Sequence, residues 1–183
     1  MSTPLPPQYP LCEPPALLPF ACSLADLEPS IEQLSAAPSN LRQTLDGISP
    51  TQLDTKYRNW TLRQITHHIA DSHLNALVRC KWALTEPAPT IKAYDENLWT
   101  DLRFAKTADI GLSLNQLDAT HESWIALIRT LGMDKLNRTF VHPESGEHVR
   151  LADMIPHYGW HAAHHTAQIR WRLDHPTEHP VAN

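Results

Sequence analysis

Residues 59–87 read NWTLRQITHHIADSHLNALVRCKWALTEP, with apolar side chains at Leu62, Ile65, Ile69, Ala76, Cys80 and Ala83. That recurrence follows the 3.6-residue turn, so the segment is predicted to be an amphipathic helix with one face in a core. Asn59 or Thr61 can cap its start, and Pro87 closes it. On its N-terminal side, SIEQLSAAPSNLRQTLDGIS carries Ile31, Leu34, Leu41 and Leu45 at the same spacing. This is predicted to be a first helix, kinked or restarted at Pro38 and ended by Gly47.

On its C-terminal side, APTIKAYDENLWTDLRFAKT reads as a long connection with one short helical turn, of the kind that crosses a bundle or carries function. DIGLSLNQLDATHESWIALIRTLG then places Leu114, Leu117, Trp124, Ile125 and Leu127 to Leu131 near one stripe, a third helix stopping at Gly132. RTFVHPESGEHVRL reads as a turn or short hairpin around PESG. A fourth helix is expected from about Leu151 to Leu173, bent in its first turns by Pro156. Four long helices with little strand signal predict an all-α four-helix bundle. The seven prolines of the first 20 residues fix φ and remove donors, so 1–22 is expected to be an extended arm across the bundle of 23–183.

Composition narrows the function. The chain of 183 residues suits a single domain, 42% hydrophobic and 19% charged. Its net charge of −5 leaves no basic patch for nucleic acid, so a small-molecule partner is expected. The N-terminus lacks a basic segment before an apolar run, and no run approaches the roughly 20 apolar residues of a membrane span. The expectation is a cytoplasmic protein. Cys12, Cys22 and Cys80 are odd in number and widely spaced, as reduced thiols are. The five isolated glycines build no phosphate loop, dinucleotide fingerprint or nucleophile elbow.

The histidines carry the chemistry. In YGWHAAHHTAQIRWRL, residues 158–173, an advance of about 100° per residue puts His165 about 50° and His161 about 90° from the centre of the apolar face. They are one turn apart on the same side. His157, His164 and Gln168 lie further round, as supporting or surface residues. On the helix of 59–87 the same projection aligns a polar stripe, Thr61, His68, Ser72, Asn75 and Arg79, beside the core. His67 points nearly opposite the core, and His73 lies near its centre. Two imidazoles at i and i+4, with one from a neighbouring helix, would offer three neutral nitrogen donors and leave a coordination position open. Periodicity alone leaves His68 and His73 competing for the third place. Ser72, Asn75 and Arg79 are candidate substrate-binding residues, Arg79 being suited to a carboxylate or phosphate. Tyr94, Asp95 and Trp99 can pack or cap the pocket, and His142 and Glu144 are read as turn formers. No HExxH glutamate is present, so a general base stays unassigned.

The stretch QLDTKYRNWTLRQITHHIADSHLNALVRCKWALTEPAPTIKAYDENLW, together with YGWHAAHHTAQI, the YP near the N-terminus and HPESGE, resembles the YfiT-like branch of the DinB/YfiT superfamily, described as candidate metal-dependent hydrolases. The resemblance covers nearly the whole chain. It implies a bundle with a long crossover, a metal held by His68, His161 and His165, zinc or nickel as that metal, and a homodimer. YRNWT is shorter than the usual turn of that family, and Pro156 replaces a helix former. Three functions then compete: hydrolysis of a small amide or ester by activated water, transfer of a low-molecular-weight thiol, and metal binding without turnover.

Overall fold

The computed structural model describes residues 6–176. The first helix, α1 (Leu24–Leu45), opens on a capping box in which the Ser23 hydroxyl accepts from the Asp26 N–H and the Asp26 carboxylate accepts from the Ser23 N–H. It stays helical through Pro29 and Pro38, without a restart at Pro38, and ends just before Gly47, whose φ of +70° is natural for glycine. A short α2 (Pro50–Leu53) and a two-residue hairpin, β1 (Lys56–Tyr57) with β2 (Trp60–Thr61), lead into α3 (Leu62–Thr85). Thr61 caps α3 in a capping box with Gln64.

The crossover contains two short helices where one turn was expected, α4 (Glu96–Asp101) and α5 (Arg103–Thr107). The third long helix, α6 (Ile110–Ile128), stops four residues before Gly132. Its end tightens into i→i+3 bonds, Thr130 N–H to the Leu127 carbonyl and Leu131 N–H to that of Ile128. Gly132 instead caps α7 (Met133–Leu136). The expected hairpin is present as β3 (Thr139–Val141) and β4 (His148–Arg150), paired antiparallel. The last helix, α8 (Leu151–Asp174), passes through Pro156 without interruption.

The four long helices form a four-helix bundle in which α1 packs on α6 and α8, and α3 packs on the same two. The consecutive long helices α1 and α3 therefore lie across the bundle from one another. The described part of the proline-rich arm contains no helix or strand and is fastened along this body. Trp160 Nε1 donates to the Cys12 carbonyl at 3.0 Å, and the Leu18 N–H donates to Asp153, itself in a buried ion pair with Arg150 at 2.8 Å. No helix among the described residues is long and apolar enough to cross a membrane.

The core is split. One apolar cluster is built from Leu27, Ile31 and Leu34, Ala76 to Ala83, Trp124 and Ile128, and Leu151 to Tyr158. The other holds Leu41, Leu45, Leu62, Ile65, Ile69, Leu114, Leu117 and Ile169. Between them, at corresponding heights of α3, α6 and α8, lie His68, His73, His121, His161 and His165. Buried imidazoles belong in such a layer only when hydrogen-bonded or ligating, because an unpaired buried polar group is costly.

Candidate metal centre

One ring nitrogen from each of His68, His161 and His165 comes within 4.8 Å of the other two. The Nε2 atoms of His68 and His161 are 3.3 Å apart. Ligands of a tetrahedral ion at 2.0–2.1 Å are about 3.4 Å from each other, so this spacing suits a shared ion. Burial first, and then neighbouring imidazoles for His161 and His165, disfavours the charged form. His68 is lowered to about 4, and His161 and His165 lie well below the ordinary histidine range. All three are therefore neutral at pH 7, the form that has a lone pair to give.

The remaining ring nitrogens fix where those lone pairs point. His121 Nδ1 lies 2.7 Å from the Leu34 carbonyl, which can only accept, so that nitrogen carries the proton. A neutral His121 then has a bare Nε2, which accepts from His73 Nδ1 at 2.8 Å. His73, also neutral through burial, is left with a bare Nε2 and accepts from His161 Nδ1 at 3.2 Å. Each link dictates the next, and the outcome is a bare Nε2 on His161 facing His68. On the other side, His165 Nδ1 donates to Gln168 Oε1 at 2.7 Å, which frees His165 Nε2 in the same way. The Gln168 amide donates in turn to His164 Nε2 at 2.9 Å.

The chain of imidazoles begins at a defect in α1. The Leu34 carbonyl would ordinarily accept from the amide of residue 38, but Pro38 has no N–H. The proline thus releases a buried helix carbonyl, and His121 takes it. Such anchoring of a ligand's far nitrogen orients the ring and fixes its tautomer. Trp60, from β2, packs over the opposite side, 4.7 Å from the ring centre of His68 and 6.4 Å from that of His165.

A cavity of about 450 Å³ opens beside this cluster. His68, Ser72, Arg79, His157 and His161 line it from the helices, Tyr94 to Asn97 from the crossover, and His142 and Glu144 from the β3–β4 turn.

A profile of the DinB superfamily matches residues 33–169, and YfiT of Bacillus subtilis, a candidate metal-dependent hydrolase, is 43% identical over 141 residues, 76% of this chain and 79% of its own. The chain belongs to the DinB superfamily. A Bacillus cereus protein described in the same words is likewise 43% identical over 141 residues, 76% of this chain and 80% of its own. The solved structure of YfiT, with its unusual four-helix bundle topology, superposes with a TM-score of 0.87 at 38% identity, covering 92% of this chain and 96% of that one. A mycothiol-dependent maleylpyruvate isomerase shares the DinB-type fold at a TM-score of 0.63 and 14% identity, over 81% of this chain and 63% of its own.

Against this DinB frame, the residues expected from sequence divide. His68, His161 and His165 converge, and His73 stands behind His161 rather than at the common point. Ser72 and Arg79 line the cavity, whereas the Asn75 amide turns back onto the Asp71 carbonyl at 2.8 Å. His67 needs correction. It is 1% exposed, its Nδ1 is 2.6 Å from Ser113 Oγ, and its ring lies against Phe104. The face opposite the cluster is covered by α5 and α6, not by solvent. His142 and Glu144 also exceed their expected role, since the turn they form is a wall of the cavity. Cys80 is a buried thiol pushed up to about 11, as inert as its place in the core implies. The residues that sequence reasoning missed are His121, Leu34 and Trp60, for which the one local signal was a proline four residues after Leu34.

Proposed function

We propose that this DinB-superfamily protein is a metal-dependent enzyme that hydrolyses a small-molecule substrate, with one divalent ion, zinc or nickel, on His68, His161 and His165. The observation that carries this reading is the run of tautomers that leaves bare ring nitrogens directed at one point. Three protein donors leave room for water or substrate, as catalytic sites do and structural ones do not. When bound, such an ion supplies Lewis acidity, lowering the pKa of a water or thiol and polarising an electrophile.

The chain supplies the rest. His73 and Gln168 hold two of the ligand rings in place. Trp60 keeps bulk water off one side of the cluster. Ser72, on the turn of α3 above His68, offers a hydroxyl to the substrate in the cavity. The groups able to take up a proton are the carboxylates of the cavity wall, Asp95, Glu96 and Glu144. Burial, and then the charges of Asp95 and Glu144, pushes the Glu96 carboxyl above the usual range, toward that of an effective base. The small size of the cavity suits a small organic molecule. A homodimer is part of this proposal, on the strength of the family resemblance.

Thiol transfer is the second reading. It is favoured by the position of those carboxylates in the wall, off the imidazole cluster itself, because a thiol ionises more readily than water and needs less help from a base. Incubating metal-loaded protein with a panel of esters, amides and epoxides, with and without a low-molecular-weight thiol, separates the two. Hydrolysed product formed without thiol supports the hydrolase. Product that carries sulfur, and forms only with thiol, replaces that assignment. No turnover in either arm, with metal fully loaded, leaves a metal-binding protein.

A further inference from the structure

Arg79 follows His68 on α3 by eleven residues, about 16 Å along the helix axis. Side chains on a helix tend to lean toward its N-terminus, which from Arg79 is the direction of the histidines, and both residues line the same cavity. Its Nε is buried and has no protein partner, and none of the ion pairs among the described residues includes it. What surrounds the guanidinium is aromatic. Its central carbon is 5.9 Å from the centre of the Tyr94 ring, and its hydrogen-bond partner is a neutral group, the buried Tyr158 hydroxyl, which also meets Ser72. By contrast, Arg63 and Arg150, which also turn inward, each meet a carboxylate, Asp54 and Asp153, at 2.8 Å.

A guanidinium stays charged at any ordinary pH, and its fork of N–H donors matches the two oxygens of a carboxylate. An inward-facing one that lacks such a partner, in a cavity shared with the imidazole cluster, is set up to receive that partner from outside. We infer that Arg79 is the anchor for a carboxylate on the substrate, so that the substrate class is a small organic acid whose reacting bond lies at the histidine cluster and whose carboxylate lies at Arg79. The location of the reacting bond rests on the metal-site reading above; the anchor itself does not. The cavity wall selects a carboxylate over a phosphate ester. Asp95, Glu96 and Glu144 face the same space, so a dianion would meet more repulsion than a single carboxylate, which one guanidinium neutralises.

The test uses matched probes, monohydroxamic acids of short dicarboxylic acids, with two to six methylenes, each beside its analogue ending in a carboxamide. The hydroxamate end binds divalent metals, and the other end is acid or amide. Binding to the full metal-loaded chain is measured by calorimetry, with metal content determined on the same sample. At the chain length that spans the cavity, the acid should bind about tenfold or more tighter than the amide, as a charge-assisted pair would. Arg79→Gln should abolish that preference without loss of metal, and Arg79→Lys, which keeps the charge but not the fork, should retain only part of it. Equal binding of acid and amide at every length overturns the inference, as does a preference that survives in Arg79→Gln. If Arg79→Gln does not fold, an undiminished preference in Arg79→Lys overturns the forked anchor. A preparation that holds no metal yet still prefers the acids in an Arg79-dependent way would refute the metal reading alone.

Discussion

Replacing His121 by Phe keeps a ring of similar size against His73, whose ring is stacked on it at 4.8 Å, but removes the acceptor that fixes the His73 tautomer. His73 then has a buried Nδ1–H without a partner, a cost of about 1–3 kcal/mol to the fold. It recovers part of that cost by moving its proton to Nε2. That proton points at His161 Nδ1 and drives the His161 proton onto Nε2, the atom needed for the metal. Metal binding must reverse the swap, so affinity should drop by about 10- to 100-fold, or about 1.4–2.7 kcal/mol. Competition against a chromophoric chelator measures the affinity. Long-range ¹H–¹⁵N correlation spectra of the metal-free protein read the tautomers directly. Unchanged affinity in His121→Phe, or a proton on His161 Nε2 in the unmodified metal-free protein, would refute the relay.

Other consequences follow from the same layer. Pro38→Ala returns an N–H to the Leu34 carbonyl and removes a helix-breaking residue, so the protein should become more stable by up to about 3 kcal/mol, while the competing donor weakens metal binding several-fold; urea titration and chelator competition should move in opposite directions. Acid should destabilise the metal-free protein. His121 and His68, 2% and 4% exposed, are lowered from the ordinary 6.5 to about 4, so their contribution is complete above pH 6.5 and is lost as pH falls toward 4, at about 1.4 kcal/mol per pH unit for each, which urea titrations at pH 7, 6 and 5 would show. His67→Ala should cost stability through its contacts with Ser113 and Phe104 yet leave metal stoichiometry unchanged, in contrast to His68→Ala beside it.

The long helices were legible because their signals are local. The stripe from Leu62 to Ala83, the cap at Asn59 or Thr61, of which Thr61 serves, and the turn at Gly47 depend on residues a few positions apart. The pair His161 and His165 was legible for the same reason, since i and i+4 on one helix share a face. His67 was misplaced because a helical wheel assumes that the side away from the core meets water, and only the packing of α5 and α6 on α3 shows otherwise. The choice between His68 and His73 could not be made from periodicity. Both turn inward, and what separates them is His121 on α6 and the carbonyl that Pro38 frees on α1, both distant in sequence. The prolines end neither helix. Within α1 and α8 the packing of the surrounding helices keeps the chain helical through residues that would end an isolated helix.

The central claim, that three imidazoles on α3 and α8 bind one ion, is tested most directly by metal stoichiometry. Native mass spectrometry of untagged protein, loaded with zinc or nickel and then desalted, should show one ion per chain, and His165→Ala or His161→Ala should show none while remaining folded by circular dichroism. An unmodified protein that stays metal-free after loading, or a His165→Ala variant that still holds a full equivalent, would contradict the account.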